Sequence, residues 1–307
     1  MNSPDVVQLV SHRHWQHKLD RSRFLSIEPL QPKRTGIGWP GYNPEHGVRR
    51  NLMDLYGRMP DLLFAYKPLE HPGFADLWET LNTITILQYN EVKEARFKAE
   101  IRESRPDCVI FHHVNDFHAQ AARLRTWGVR VVRHIPHVAD PAIFRNLALP
   151  KEWDVVTVGA QSGKIYPLRR QCRQACVLLR ERGFRCLDFA HPGNELTDAT
   201  TLDHLRHFAK VCNQARIVTF CASIYKYRLQ KYVEVPACGA AVAADFPEGA
   251  SPPMIVCRAD ESIEETANLL ETCLKDNVDA TLALEGMKWA GDYTPAFYVD
   301  EVLHMVS

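Results

Sequence analysis

No surplus charge of either sign is present: Lys plus Arg number 37 and Asp plus Glu 37 in 307 residues. Without a net positive field, long-range attraction to nucleic acid or to an anionic membrane is not expected, which leaves only local basic sites. No apolar run approaches the roughly 18 residues that a membrane-crossing helix needs. The N-terminus, MNSPDVVQLVSHRHWQH, is broken by Asp5 and a His/Arg cluster before a signal-peptide core can form. The chain is therefore expected to lack a membrane span and to reside in the cytoplasm. Glycine (15) and proline (19) are too scarce for a low-complexity or fibrous chain. The nine cysteines are odd in number and contain no CxxC pair, which predicts reduced, mostly buried thiols rather than a disulfide framework. Metal-ligand spacing is missing too. His12, His14 and His17 sit near the terminus, and His112 and His113 are adjacent, so no metal site is expected.

What is present is the composition of a globular protein, with 46% apolar, 24% charged and 9% aromatic residues. At roughly 150 residues per domain, the length suggests two domains. Short runs rich in Val, Ile and Phe alternate with helical patterns, the signature of parallel sheets covered on both faces. In the first half these runs are RFLSI (23–27), LLFAY (62–66), TITILQY (83–89), DCVIFHH (107–113) and VRVVRHI (129–135), with helices expected at 47–58, 73–81, 90–103 and 115–127. That makes one five-stranded α/β domain. The segment PHVADPAIFRNLALPKEW, punctuated by Pro136, Pro141 and Pro150, is too irregular for either element and marks a junction. The alternation restarts with DVVTVGA (154–160), RCLDFA (185–190), RIVTFCA (216–222), AAVAADF (240–246) and MIVCRA (254–259), with helices at 168–182, 201–212 and from about 225. Ser262 followed by Glu265 forms a capping-box pattern at the start of a helix over 262–276. A last amphipathic helix spans Tyr293 to Met305.

Ligands of open parallel sheets bind at the carboxyl ends of the strands, so chemistry is sought in the loops that follow them. Tyr227, Lys231 and Glu234 fall four and three apart and would share one face of a helix. Free N–H groups at the start of that helix suit a phosphate, and a carboxylate further along suits the vicinal hydroxyls of a ribose. The alternative is a solvated helix whose Lys231 and Glu234 form a surface ion pair. HHVND (112–116) follows the strongest strand of the first half. His112, His113 and Asp116 are candidates for a general base, with His113 or Asp116 preferred. The alternatives are a satisfied strand-end histidine and Asp116 acting as a helix N-cap. QSGKIYPLRR (161–170) contains S-G-K, but Ile165 stands where a P-loop needs Ser or Thr, which argues against a kinase or NTPase. TGIGWPGYNP (35–44) reads as a turn-rich connector.

The string KYVEVPACGAAVAAD (231–245) resembles the donor-binding segment of GT-B glycosyltransferases of the "group 1" type, including the spore-protein-like branch. IPHVADPAIF (135–144) resembles the interdomain motif of the same family. DVVTVGA with YPLRR (166–170) is similar to the first strand and loop of its nucleotide-sugar domain, and YTPAFY (293–298) to the start of its returning C-terminal helix. The resemblance covers residues from about 107 onward. It implies two Rossmann-like α/β domains facing across a cleft: an acceptor-side domain at 1–138, a nucleotide-sugar domain at 139–292, and a helix at 293–307 that crosses back. It further implies metal-independent transfer of a sugar from a nucleotide-diphosphate sugar to a glycan, lipid, protein or small-molecule acceptor, with no cofactor. Carried over by position, Glu234 would bind the ribose, and Lys231 would counter the donor phosphate. Gly159 would admit the diphosphate, Arg169 would add charge, and Ser223 would contact phosphate. Lys164, from S-G-K, and Tyr227, from the helix-face pattern, are further candidates for the donor site. Two departures stand out. Lys226 occupies the place where many retaining relatives carry their first acidic residue, and Pro236 stands in the donor helix, which is expected to kink or end near Val235. A catalytically degenerate module that binds a nucleotide sugar or a protein partner, and a sugar-nucleotide epimerase, are the alternative functions.

Overall fold

The computed structural model describes residues 6–9, 33–35, 41–65, 83–89, 94–160, 163–189 and 198–307. The chain divides into two compact units, Met1–Pro136 together with Pro295–Ser307, and His137–Thr294. In the first unit β1 (Val6–Leu9), β2 (Lys33–Thr35), β3 (Leu62–Ala65), β4 (Ile84–Tyr89), β5 (Cys108–Phe111) and β6 (Val131–His134) form a parallel sheet in the order β2-β1-β3-β4-β5-β6. Every residue of β3 and β5 is buried, as continuous apolar strands require when both faces are covered. Helices α1 (Val48–Tyr56), α2 (Glu94–Ser104) and α3 (Val114–Thr126) supply Leu52, Phe97, Ile101 and Leu124 to a core with Leu63, Leu87, Val109 and Phe111.

Among the described residues six strands stand here where the sequence predicts five. RFLSI (23–27) and the helix expected at 73–81 lie outside the described residues. The strands missing from the sequence reading are β1 and β2. VVQL is too short to show a period, and its strand character comes from its pairing with Leu62–Ala65. KRT carries no apolar signal and occupies the sheet edge, where polar residues are tolerated.

The second unit holds β7 (Trp153–Val158), β8 (Cys186–Phe189), β9 (Ala215–Thr219), β10 (Ala241–Ala244) and β11 (Met254–Val256), all parallel, in the order β11-β10-β9-β7-β8. Its helices are α4 (Pro167–Glu181), α5 (Asp198–Gln214), α6 (Lys231–Ala237), α7 (Ile263–Lys275) and α8 (Val278–Ala290). The period of two along each strand divides the core. Val155, Ile217, Ala241 and Ile255 pack with Leu168, Leu179 and Leu270 from α4 and α7. Val156, Val158, Val218 and Val242 pack with Phe208, Tyr232 and Ala290 from α5, α6 and α8. Helix α9 (Pro295–Val306) returns the chain to the first unit.

The helix expected from about residue 225 begins only at Lys231. Ser223 (φ +70°) and Lys226 (φ +56°) take left-handed backbone conformations that end any helical run between them. Tyr227 therefore lies in a loop and shares no helix face with Lys231 and Glu234. Pro236 is the penultimate residue of this short helix, which ends at Ala237, two residues past Val235, in line with the expected stop. Helix α8 went unrecognised in the sequence. It approaches α6 so closely that a Cβ on its Gly286 would stand 3.0 Å from Pro236 Cβ. All nine cysteines are buried and reduced. Burial, with help from Asp107, pushes the Cys108 thiol up to about 12. Among the described residues no helix is long and apolar enough to cross a membrane.

Candidate functional site

In the second sheet the chain leaves β7 toward β8 on one side and returns to β9 on the other, so the carboxyl ends of β7 and β9 flank the point where strand order reverses. Open parallel sheets bind ligands at such a point. Gly159, directly after β7, has φ +98°. A Cβ there would come within 2.7 Å of Nη1 and 2.9 Å of Cζ of Arg169, so only glycine lets that guanidinium lie against the backbone. Arg169 is the third residue of α4, and its position follows from Pro167 opening the helix. It is 5% exposed. Nη1 donates to the Ala160 carbonyl at 3.1 Å, and Cζ stands 3.6 Å from the Tyr166 ring centre. Its Nε–H is buried without a partner, and no carboxylate pairs with the group among the described residues. Tyr166, the N-cap of α4, makes no side-chain capping bond; Pro167 carries no N–H, and Arg169 N donates to the Tyr166 carbonyl at 3.2 Å, so what this helix end offers an anion is chiefly the positive end of its dipole. Lys164 stands exposed in the turn before α4.

The loop after β9 is stitched to the loop after β7, because Ile224 N donates to Ile165 O at 2.9 Å. Ser223 is buried, and its hydroxyl accepts from Tyr225 N at 3.2 Å. The Cys221 thiol is pushed up by burial, while the nearby Arg169 charge pulls against that shift. Tyr227 stacks on Tyr225 with ring centres 5.4 Å apart. In α6, Lys231 is half-buried with Nζ 5.8 Å from the Phe208 ring centre, and Glu234 is 5% exposed. Tyr232 through Pro236 are all buried, so α6 is an interior helix and not the solvated one of the alternative reading. Lys226 Nζ pairs with Asp245 Oδ2 at 2.8 Å, and Asp245 Oδ1 accepts from Ala222 N at 2.7 Å. A carboxylate at the end of β10 thus answers the cation at the position that the sequence marks as a departure.

In the first unit, His113 is the N-cap of α3 through its backbone, without a side-chain cap bond. Asp116 lies within the first turn of that helix, where its charge complements the helix dipole, and is not the N-cap. His112 and His113 are both buried. His112 Nδ1 lies 2.8 Å from the Ile135 carbonyl and must be the donor of that bond, so in the neutral ring Nε2 is the basic nitrogen. The structure adds two residues to those the sequence singled out, Tyr166 and Asp245, which lie within YPLRR (166–170) and KYVEVPACGAAVAAD (231–245). Among the described residues no three His, Cys, Asp or Glu side chains are grouped to hold a metal ion.

Sucrose-phosphate synthase from Thermosynechococcus elongatus superposes with a TM-score of 0.58 at 15% identity, over 97% of each chain. HepE from Anabaena, solved in complex with UDP and glucose, gives 0.60 at 11% identity over 99% of each chain. The fold is GT-B. Each unit has the Rossmann-like α/β form of a GT-B domain, and the buried arginine lies in the second of them. At these identities the likeness establishes the GT-B fold alone. No protein-family profile matches the chain, and no curated protein matches it in sequence.

Proposed function

We propose that the protein is a glycosyltransferase that binds a nucleoside-diphosphate sugar on its second unit and passes the sugar to an acceptor. The observation that carries this reading is Arg169, a guanidinium buried at the switch point of the second sheet with no carboxylate partner among the described residues. A diphosphate leaving group gains charge as the glycosidic bond breaks, and fixed cations together with helix N-termini stabilise that charge. Arg169, the positive dipole end of α4 and Lys231 supply it here, Gly159 and Ser223 bring backbone and hydroxyl to the phosphates, and Glu234 takes the ribose hydroxyls. Lys164 and Tyr227 border the same loops. His113 or Asp116 acts as base on the acceptor. Because HepE was solved with UDP, a UDP-sugar is the first donor to test. The test is titration calorimetry with UDP, GDP and ADP, followed by release of the diphosphate from the matching sugar conjugates, with and without EDTA. Selective binding with acceptor-dependent release, undiminished by EDTA, is the expected result, and binding of none of the three refutes the donor site.

The Lys226–Asp245 pair favours a second reading, a module that binds the nucleotide sugar without transferring it. Tight binding without release of diphosphate in the same assay selects that reading.

A further inference from the structure

The chain passes between its units at Pro136–His137 and at Thr294–Pro295. On the second-unit side one residue holds both passages. Arg228, in the loop between β9 and α6, is 5% exposed. Its Nη2 donates to the His137 carbonyl at 3.0 Å and Nη1 reaches the Ala250 carbonyl at 3.5 Å. Its Cζ stands 4.3 Å from the Tyr293 ring centre and 5.4 Å from that of Trp289. Gln230 Nε2 reaches the Val138 carbonyl at 3.5 Å, and Ala139 N donates to the Tyr293 carbonyl at 3.0 Å. Loop, entry and exit are therefore tied in one knot. Burial pulls the Arg228 guanidinium below its ordinary value, and Tyr293 works against that pull. No ion pair supports the charge among the described residues, so carbonyls and ring faces hold it. A planar fork serves both kinds of partner at once, as a lysine cannot.

On the first-unit side the same two passages lead to one histidine. The Ile135 carbonyl, which accepts from His112 Nδ1, lies two residues before His137. The Tyr298 ring, five residues after Tyr293, has its centre 6.1 Å from that of His112.

We propose that Arg228 is a positioning residue that transmits occupancy of the β9–α6 loop to His112 along both passages of the chain. The inference rests on the nucleotide-binding reading of that loop given above. The loop carries two left-handed residues that are not glycine, Ser223 and Lys226, a strained arrangement of the kind found in segments that switch. A ligand that selects one arrangement of the loop biases every group bonded to it.

The test labels histidine Cε1 with carbon-13 and follows the His112 signal, assigned by its loss in His112→Gln, as UDP is titrated. In the parent, saturating UDP moves that signal, and in Arg228→Lys it moves less. Arg228→Met binds UDP within about threefold of the parental affinity but leaves the signal where the free protein has it. Equal movement in Arg228→Met and parent overturns the proposal. If Arg228→Met does not fold, hydrogen exchange in the parent decides: the Ala139 amide is expected to slow at least about tenfold with UDP, and an unchanged rate overturns the proposal. Failure of the parent to bind UDP, GDP and ADP refutes the nucleotide reading and this inference with it. Binding without a response at His112 overturns this inference alone.

Discussion

A guanidinium removed from water without a counter-ion carries a desolvation penalty on the order of several kcal/mol. Among the described residues, Arg169 bears that penalty against the Ala160 carbonyl, the Tyr166 ring and the Gly159 backbone, with no carboxylate paired to it. The proposed donor site supplies an anion as its partner, and Gly159 tests that geometry. Gly159→Ala places a Cβ 2.7 Å from Arg169 Nη1 on a residue with φ +98°. We expect a loss of about 1–3 kcal/mol in stability from the backbone strain alone. Displacement of the arginine should weaken nucleotide binding by about tenfold or more. Thermal unfolding and calorimetry on the same sample check both, and undiminished affinity would remove Arg169 from the phosphate site. Glu234→Gln keeps the shape of the side chain and removes its charge. Hydrogen bonds to a charged acceptor contribute about 1.5–3 kcal/mol, so UDP should bind on the order of ten- to a hundredfold more weakly. Parental affinity in this variant would contradict the ribose role.

At the scale of elements, α7 shows how local chemistry fixes a helix and makes it sensitive to acid. Ser262 Oγ accepts from Glu265 N at 3.1 Å, and Glu265 Oε2 accepts from Ser262 N at 2.7 Å, the reciprocal capping box read from the sequence. Those bonds, the backbone one first, hold the Glu265 carboxyl below its ordinary value of 4.5. Lys275 first, and then Arg182 at the end of α4, do the same for Glu271. Groups with depressed values stabilise the fold fully above the ordinary glutamate range and lose that contribution as pH falls through the lowered values. The unfolding temperature should therefore hold steady down to about pH 5 and then decline. Ser262→Ala should lower stability by about 1 kcal/mol at neutral pH and flatten the acid decline. An acid limb equally steep in parent and variant would show that other carboxylates control it.

The contrast between α7 and α6 explains what the sequence could disclose. Capping, periodicity and apolar runs are local, so β3 to β6, β7 to β11 and α7 were all legible, as was the GT-B fold through the 231–245 string. The loop from Phe220 to Gln230 was not. Its path depends on the Lys226–Asp245 pair, on Glu248 N donating to the Lys226 carbonyl and on Arg228 reaching His137, all partners distant in sequence. β1 was hidden for the same reason, since four residues show no period until neighbouring strands supply one. Gly159, Arg169 and Ser223 were named by position, yet nothing in the sequence indicated that Arg169 is buried with no counter-ion among the described residues.

For the whole molecule, the proposed donor residues all belong to His137–Thr294, and the candidate bases His113 and Asp116 belong to the other unit. If each unit carries its own half of the reaction, binding and turnover separate by mutation. Asp116→Asn preserves size and first-turn placement while removing the charge, and His113→Gln preserves polarity at the start of α3 while removing the imidazole. Both should bind UDP as the parent does, because neither side chain belongs to the second unit. The residue that serves as general base should lower kcat by about a hundredfold or more, and the other should change it only slightly. At a hundred times its dissociation constant, UDP should add about 2.7 kcal/mol to the stability of both variants and of the parent alike. A variant that loses this ligand-induced stabilisation together with kcat would place its residue in the nucleotide site instead. Parental kcat in both variants would remove the HHVND segment from the chemistry and direct attention to the carboxyl ends of β1 and β3, where strand order reverses in the first sheet.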